Sequence, residues 1–298
     1  MQEPAKKFPD WIRRAWPSGE AHQEVKSLLA GLNLHTVCQS AHCPNQGECW
    51  SRRTATFMVL GNVCTRHCSF CGVNGGKPLP VDPEEPAHVA EAARRMGVKH
   101  LVITSVTRDD LPDGGAAHIA AAIRAVKEAA PGVTIEALVQ DFGGDRDAIG
   151  AVVAAGPEVF SHNIETVERL HPLMRDRRFS YAGSLAVLRT ARELAAGFVK
   201  SSFMLGCGET EAEVRATLED LRGAGCDAVA MGQYLRPGRK NGEVADFVTP
   251  EQFRSYEQMA YDTGFTFAVA GPFVRSSYRS EALLERATTG RAPRGGEV

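Results

Sequence analysis

Cys64-Thr65-Arg66-His67-Cys68-Ser69-Phe70-Cys71 sets three thiols within eight residues, at offsets of four and three. It directly follows the apolar run Thr56-Phe57-Met58-Val59-Leu60-Gly61-Asn62-Val63, so a strand feeds straight into the thiols. A tetrahedral zinc, or a four-iron cluster held wholly by protein, needs four ligands. Three thiols therefore leave one metal position open to a small molecule. An open iron is what gives a cluster chemistry beyond electron transfer. The same offsets also line up on one helix face, as a buried stripe would. Thr65, Arg66, His67 and Ser69 are poor core residues and argue against that reading.

Upstream stands a second triplet, Cys38-Gln39-Ser40-Ala41-His42-Cys43-Pro44-Asn45-Gln46-Gly47-Glu48-Cys49-Trp50, with offsets of five and six. Pro44, Asn45 and Gly47 predict a loop from which the thiols converge. Six cysteines within 34 residues exceed what one four-iron site can use. A metal here is thus separate: a second cluster, or zinc held by Cys38, Cys43, Cys49 and either His35 or His42. Further upstream, Pro9, Pro17 and Gly19 punctuate an N-terminal arm. A short helix is expected over 20–30, ended by Gly31, and Trp11 and Trp16 are expected to pack the arm onto the main body.

Downstream the pattern turns to strand, then helix, repeatedly. Strand-like runs cover 57–60, 100–104, 134–139, 159–162, 199–205, 228–231 and 266–269. Amphipathic, Ala-rich stretches fill 88–96, 116–129, 146–155, 181–195, 211–222 and 250–263. Gly97, Gly156, Gly197, Gly225 and Gly264 stand just past helix ends, where C-caps belong. This alternation predicts a parallel β/α architecture with right-handed crossovers. One unit too few is present for a closed eight-fold barrel, so a partial barrel of about six units fits. Ligands would bind at the C-terminal strand ends. Polar clusters at 104–115, 140–144, 161–166, 204–210 and 232–237 fall just after strands, as a ring of site residues would. None of the Gly-rich pieces completes a phosphate loop or dinucleotide fingerprint. The last stretch, Gly271-Pro272-Phe273-Val274-Arg275-Ser276-Ser277-Tyr278, reads locally as a capped turn whose serines bond to backbone.

With 298 residues, the chain is long enough for one barrel-sized domain. A net charge of −2 makes no electrostatic case for nucleic acid or an anionic membrane. No apolar run reaches the ~20 residues of a membrane span, and the first residues lack the apolar segment of a signal peptide. A cytoplasmic protein is expected, in which six clustered cysteines bind metal rather than form disulfides.

The Cys-x3-Cys-x2-Cys spacing, with aromatic Phe70 before the third cysteine, is similar to that of radical S-adenosylmethionine (SAM) enzymes, whose open iron takes SAM through its amino and carboxylate groups. Taken with the earlier triplet, the chain strongly resembles the lipoyl synthase family. The likeness extends to Cys43-Pro44-Asn45, Glu48-Cys49-Trp50, the block 104–115, His162-Asn163-Ile164-Glu165-Thr166, Gly232-Gln233-Tyr234-Leu235, Val248-Thr249-Pro250-Glu251 and Arg275-Ser276-Ser277-Tyr278. The resemblance implies a partial (β/α)6 TIM-type barrel at 56–270. An N-terminal extension at 1–55 and a C-terminal one at 271–298 would lie over the barrel mouth. It implies two [4Fe–4S] clusters: one on Cys64, Cys68 and Cys71 that binds SAM, and an auxiliary one on Cys38, Cys43, Cys49 and Ser277. Phe70, Asn163, Glu165 and Arg175 are the implied SAM contacts.

The implied reaction inserts two sulfur atoms at unactivated carbons of an octanoyl chain on a lysine of a lipoyl carrier domain. A SAM-derived radical would take the hydrogens, and the auxiliary cluster would give the sulfur. Partners would be the octanoylated carrier, a low-potential electron donor and iron–sulfur assembly proteins. The chain departs from the family pattern at Gln39-Ser40, Cys207, Asp246-Phe247 and Ser280, and none of these removes an implied metal ligand. Cys207 and Cys226 are expected to be core thiols.

Overall fold

The computed structural model describes residues 8–12, 19–278 and 280–284. One eight-stranded sheet forms the body, in the order β1 (His35–Thr36), β2 (Thr56–Val59), β5 (His100–Ser105), β6 (Thr134–Leu138), β7 (Val159–Ser161), β8 (Phe198–Leu205), β9 (Ala228–Gln233) and β10 (Phe267–Gly271). Every neighbouring pair is parallel except the antiparallel β1–β2 edge. A separate two-stranded ribbon, β3 (Val63–Cys64) and β4 (Asn74–Gly75), brackets the 64–71 loop.

Between the parallel strands run α4 (Glu85–Met96), α5 (Ala116–Ala129), α6 (Arg146–Ala154), α8 (Tyr181–Glu193), α9 (Glu211–Gly223) and α10 (Pro250–Asp262). The short α7 (His171–Met174) precedes α8. Six strand–helix units and a last strand thus make an open, partial barrel, as the alternation predicts. Local chemistry sets the boundaries: Thr210 and Glu213 close a reciprocal capping box at the start of α9. Gly97 ends α4 in the left-handed region.

Four expectations change. Gly197 is not a cap: Ala195 takes the left-handed turn after α8, at φ 58. Gly197 is small because a Cβ there would press on the Glu158 carbonyl. Gly31 lies inside α1 (Glu20–Gly31), and the left-handed residue beyond it is Asn33. Trp11 stays 40% exposed while Ile12, at 7%, is the side chain the arm buries; Trp16 lies outside the described residues. The 38–50 segment is not a plain loop. Cys38 sits on α2 (Val37–Ser40) and Cys49 on α3 (Gln46–Ser51), with Cys43 on the turn between. Thr36 nucleates α2 by accepting the Gln39 N–H, so one helical turn forms despite the loop-like composition that follows.

Strand side chains alternate in direction. The paired row Thr56, Val102, Glu136, Val159 and the row Met58, Thr104, Leu138, Ser161, Lys200, Ala228, Phe267 therefore face the lumen. The C-terminal segment packs along the β7, β9 and β10 side of that lumen. Val274 and Tyr278 pack on Ala230, and Leu283 packs on Val159, Ala228 and Phe267. The last three residues begin their strands, so the segment leaves the C-terminal end of β10 and runs back through the barrel. At Gly232 a Cβ would collide with the Val274 carbonyl, and glycine leaves room for the strap to cross β9. From the two ends of the chain, Cys38, Cys43 and Cys49 and then Arg275, Ser277 and Tyr278 line one cavity with Thr56 and His100, the first residues of β2 and β5.

Candidate functional site

The 64–71 loop leaves β3 and is held at almost every residue. Thr65 N donates to the Thr107 carbonyl (3.1 Å) and Ser69 N to the Met174 carbonyl (2.8 Å). Asn241 Nδ2 donates to the carbonyls of Ser69 (3.1 Å) and Cys71 (2.8 Å). The buried Arg66 guanidinium bridges Asp109 (2.7 Å) and Asp141 (2.9 Å). Paired and hydrogen-bonded on both sides, that charge is tolerable inside the protein.

Each thiol sulfur also accepts one backbone N–H at 3.4 Å: Cys64 from Arg66, Cys68 from Asp176 and Cys71 from Val73. Such bonds favour the thiolate form that a metal requires and tune an attached cluster. Burial, with Cys68 and Cys64 alongside, pushes the Cys71 thiol up to about 12. Three thiols this close resist ionising together unless a cation takes their protons' place.

Phe70 lies on this loop, and Asn163, Glu165 and Arg175 lie beside it. Phe70 packs against Val167, Leu170 and Met174. Arg175 donates to the Asn163 carbonyl (2.9 Å), and Asn163 Nδ2 donates to Glu165 (3.2 Å). Burial raises the Glu165 carboxyl, with Arg175 and Asn163 opposing the rise. Burial raises the Cys68 thiol, with Arg175 opposing the rise and Glu165 adding to it. Arg175 stacks on Phe179 at 3.6 Å, and Arg66 lies over the same ring at 4.0 Å. Arg175 Nε is buried without a partner, a free donor suited to a carboxylate.

Cys38, Cys43, Cys49 and Ser277 line one cavity, together with Thr56, His100, Val102, Arg275 and Tyr278. Burial, then Cys43, pushes the Cys38 thiol up to about 11. Thr56 Oγ1 donates to Ser277 Oγ at 2.8 Å, whereas Ser276 Oγ donates to Asn163 at 2.9 Å. The turn over Arg275 to Tyr278 exists, closed by Tyr278 N on the Arg275 carbonyl. Its serine hydroxyls, however, reach side chains of β2 and of the 162–166 block rather than local backbone.

The zinc alternative does not hold. Neither His35 nor His42 lines this cavity, and His42 is exposed. Among the described residues no three His, Cys, Asp or Glu side chains gather round a point for a single ion. Tetrahedral zinc needs sulfurs about 3.8 Å apart, while a four-iron cluster takes each thiolate on a different iron. Each set offers three thiols, the 38–49 set with the Ser277 hydroxyl beside it, which is the donor chemistry a four-iron cluster takes.

The two thiol sets sit on different segments, 38–49 beside the start of β2 and 64–71 beyond its end, and these segments approach each other where a Cβ at Gly72 would lie 3.2 Å from the Ala41 Cα. Sequence reading missed the Arg66–Asp109–Asp141 network, the Asn241 clamp and the lumen pair Lys200–Glu136. The last left a trace, as two charges inside otherwise apolar strand runs. Cys226 is a core thiol as expected, while Cys207 packs in the small cluster beside Phe70.

A family model described as the radical SAM superfamily matches residues 58–221, and one described as the N-terminal domain of lipoyl synthase matches residues 1–43. The lipoyl synthase of Thermus thermophilus is 53% identical over 282 residues, covering 94% of this chain and 87% of that one. That of Caldanaerobacter subterraneus is 51% identical over 280 residues, covering 94% and 98%. Among solved structures, methylornithine synthase aligns with TM-score 0.55 at 13% identity, covering 92% of this chain and 94% of that one. The hydrogenase maturase HydG of Carboxydothermus hydrogenoformans aligns at 0.56 and 12%, covering 89% and 78%. At such identities these two speak for the fold alone.

Proposed function

The chain belongs to the lipoyl synthase family of radical SAM enzymes, and on that premise we propose which of its residues carry the reaction. The enzyme inserts two sulfur atoms into the octanoyl chain of an octanoyl-lysyl lipoyl carrier, giving lipoyl-lysine, and uses SAM and two [4Fe–4S] clusters. Cys64, Cys68 and Cys71 hold the SAM-binding cluster. Cys38, Cys43, Cys49 and Ser277 hold the auxiliary one. What supports this assignment is that Cys38, Cys43, Cys49 and Ser277 line one cavity although Ser277 lies far along the chain, while Cys64, Cys68 and Cys71 stay together on a separate clamped loop.

When bound, these groups supply a radical able to take hydrogen from an unactivated C–H bond and the sulfur that replaces it. The chain's own residues prepare that chemistry. Arg175 meets the SAM carboxylate, while Asn163 and Glu165 meet its sugar and other polar atoms, beside Cys68. Phe70 closes the apolar side of that pocket. Thr56 holds the Ser277 oxygen, and a donor aimed at that oxygen favours its deprotonated, metal-binding form. The C-terminal strap packs along one side of the lumen, which would limit water around reactive species.

The same reading divides the chain into an auxiliary-cluster extension at 1–55, a barrel at 56–270 and a serine-bearing extension at 271–298. It adds a low-potential electron donor and iron–sulfur assembly proteins as partners, and a cytoplasmic setting. Among the described residues no helix is long and apolar enough to cross a membrane.

The deciding experiment is anaerobic turnover with an octanoylated carrier domain, SAM and reductant, followed by mass analysis of the modified lysine. A gain of two sulfurs is expected. A methylthio group in their place would sink the reading. Ser277 has its own series. Ser277→Ala should retain SAM cleavage but assemble the auxiliary cluster imperfectly and deliver no sulfur. Ser277→Cys should form the cluster yet release its fourth iron more slowly, since thiolate is the softer, stronger ligand for iron. Sulfur insertion lost in Ser276→Ala but kept in Ser277→Ala would assign the ligand to the wrong oxygen.

A further inference from the structure

Lys200 sits on β8 facing the lumen, 2% exposed, opposite a Glu136 carboxylate on β6 that is wholly buried. An ammonium has three N–H donors. Two go to Glu136, at 2.8 Å and 3.0 Å, and the third goes to the backbone carbonyl of Ser276 at 2.6 Å. Glu136 is in turn steadied by Ser161 Oγ at 2.7 Å. The strap residue that Lys200 grips is the immediate neighbour of Ser277, and its hydroxyl is bonded to Asn163. Burying an ion pair is weak ground for stability, because desolvation offsets the attraction. What this pair does achieve is geometric: it gives the C-terminal strap one anchored carbonyl inside the lumen.

We propose that Lys200, held by Glu136, is a positioning residue that fixes the strap at Ser276 and so delivers Ser277 to the auxiliary thiols. The inference rests on the assignment of Ser277 as a cluster ligand. A flexible strap would let a weak serine ligand dissociate, whereas an anchored one keeps the oxygen at the cluster without a stronger bond. Ser276 also joins the strap to Asn163, Glu165 and Arg175, so the anchor stands between the two sites.

The test uses full-length protein carrying Cys64→Ala, Cys68→Ala and Cys71→Ala, so that only the auxiliary cluster is present after anaerobic reconstitution. Lys200→Met alone strands a buried carboxylate and risks misfolding. The informative variant is therefore the neutral pair Glu136→Gln with Lys200→Met, whose circular dichroism and thermal transition are checked first. Mössbauer spectra and the rate of iron loss to a chelator are then read in four proteins: the parent, the neutral pair, Ser277→Ala, and all three changes together.

We expect the neutral pair to lose one iron per cluster about tenfold faster than the parent, with a spectrum approaching that of Ser277→Ala. It should add nothing once Ser277 is gone, because both changes act through one ligand. With the SAM cluster restored, SAM cleavage by the neutral pair should stay within about twofold. Parent-like iron loss in the neutral pair, a further acceleration in the Ser277→Ala background, or a neutral pair that does not fold would each overturn the positioning role. If Ser277→Ala itself releases iron at the parent rate, the serine-ligand reading fails instead, and the two failures are told apart on the same samples.

Discussion

Cys68→Ala is expected to abolish reductive SAM cleavage and to leave the protein with about half its iron. Two four-iron clusters amount to about eight iron and eight sulfide per chain after anaerobic reconstitution. Removing one thiolate from a three-thiol site leaves too few ligands to hold its cluster. The sulfur of Cys68 also takes the Asp176 N–H and feels both Arg175 and Glu165. Its loss therefore dismantles the electrostatic centre of the proposed SAM pocket. The auxiliary set draws its ligands from other residues, Cys38, Cys43, Cys49 and Ser277, and shares none with this loop. The retained iron should thus keep an auxiliary-type absorption, measured alongside iron and sulfide content and 5′-deoxyadenosine release. A Cys68→Ala protein that cleaved SAM at the normal rate would remove this triplet from the mechanism.

Cys43→Ala should give the complementary phenotype. SAM cleavage persists, because the 64–71 loop with its three N–H···S bonds is untouched. Sulfur insertion falls below detection, because Cys38, Cys49 and Ser277 cannot keep a sulfide-donating cluster. Burial, then Cys43, raises the cost of ionising Cys38, so Cys38 should also react with alkylating agents differently from the parent. The informative readout is the ratio of 5′-deoxyadenosine to lipoyl product, which should rise steeply. Normal lipoyl product from Cys43→Ala would mean that the sulfur comes from elsewhere.

The barrel and the 64–71 loop were legible because their signals are local. Strand and helix periodicities repeat over short windows, and three thiols on one loop carry their own ligand count. The caps show where local reading slips. Gly197 looked like a helix terminator, but a neighbouring strand's carbonyl requires the glycine and Ala195 makes the turn. The 38–50 segment slipped for a similar reason: one side-chain cap at Thr36 favours a helical turn that its Pro, Asn and Gly residues do not announce.

The serine block slipped most. By local rules Ser276 and Ser277 belong to a self-contained turn, and only resemblance to a family singled out the second. Their actual partners are Asn163 and Thr56, the latter 221 residues away in the chain. No window of sequence holds that information.

What the sequence by itself determined, then, is the alternating β/α frame, the two thiol triplets and the open metal position, all short-range patterns of spacing and polarity. The tertiary structure alone decided that the C-terminal strap turns back through the lumen, that Lys200 and Glu136 anchor it, and that Ser277 faces the first triplet while Ser276 faces the SAM side. The physical reason is range. Periodicity is imposed by neighbours along the chain, but a buried ammonium and a hydroxyl take whichever acceptors the folded partial barrel brings within about 3 Å.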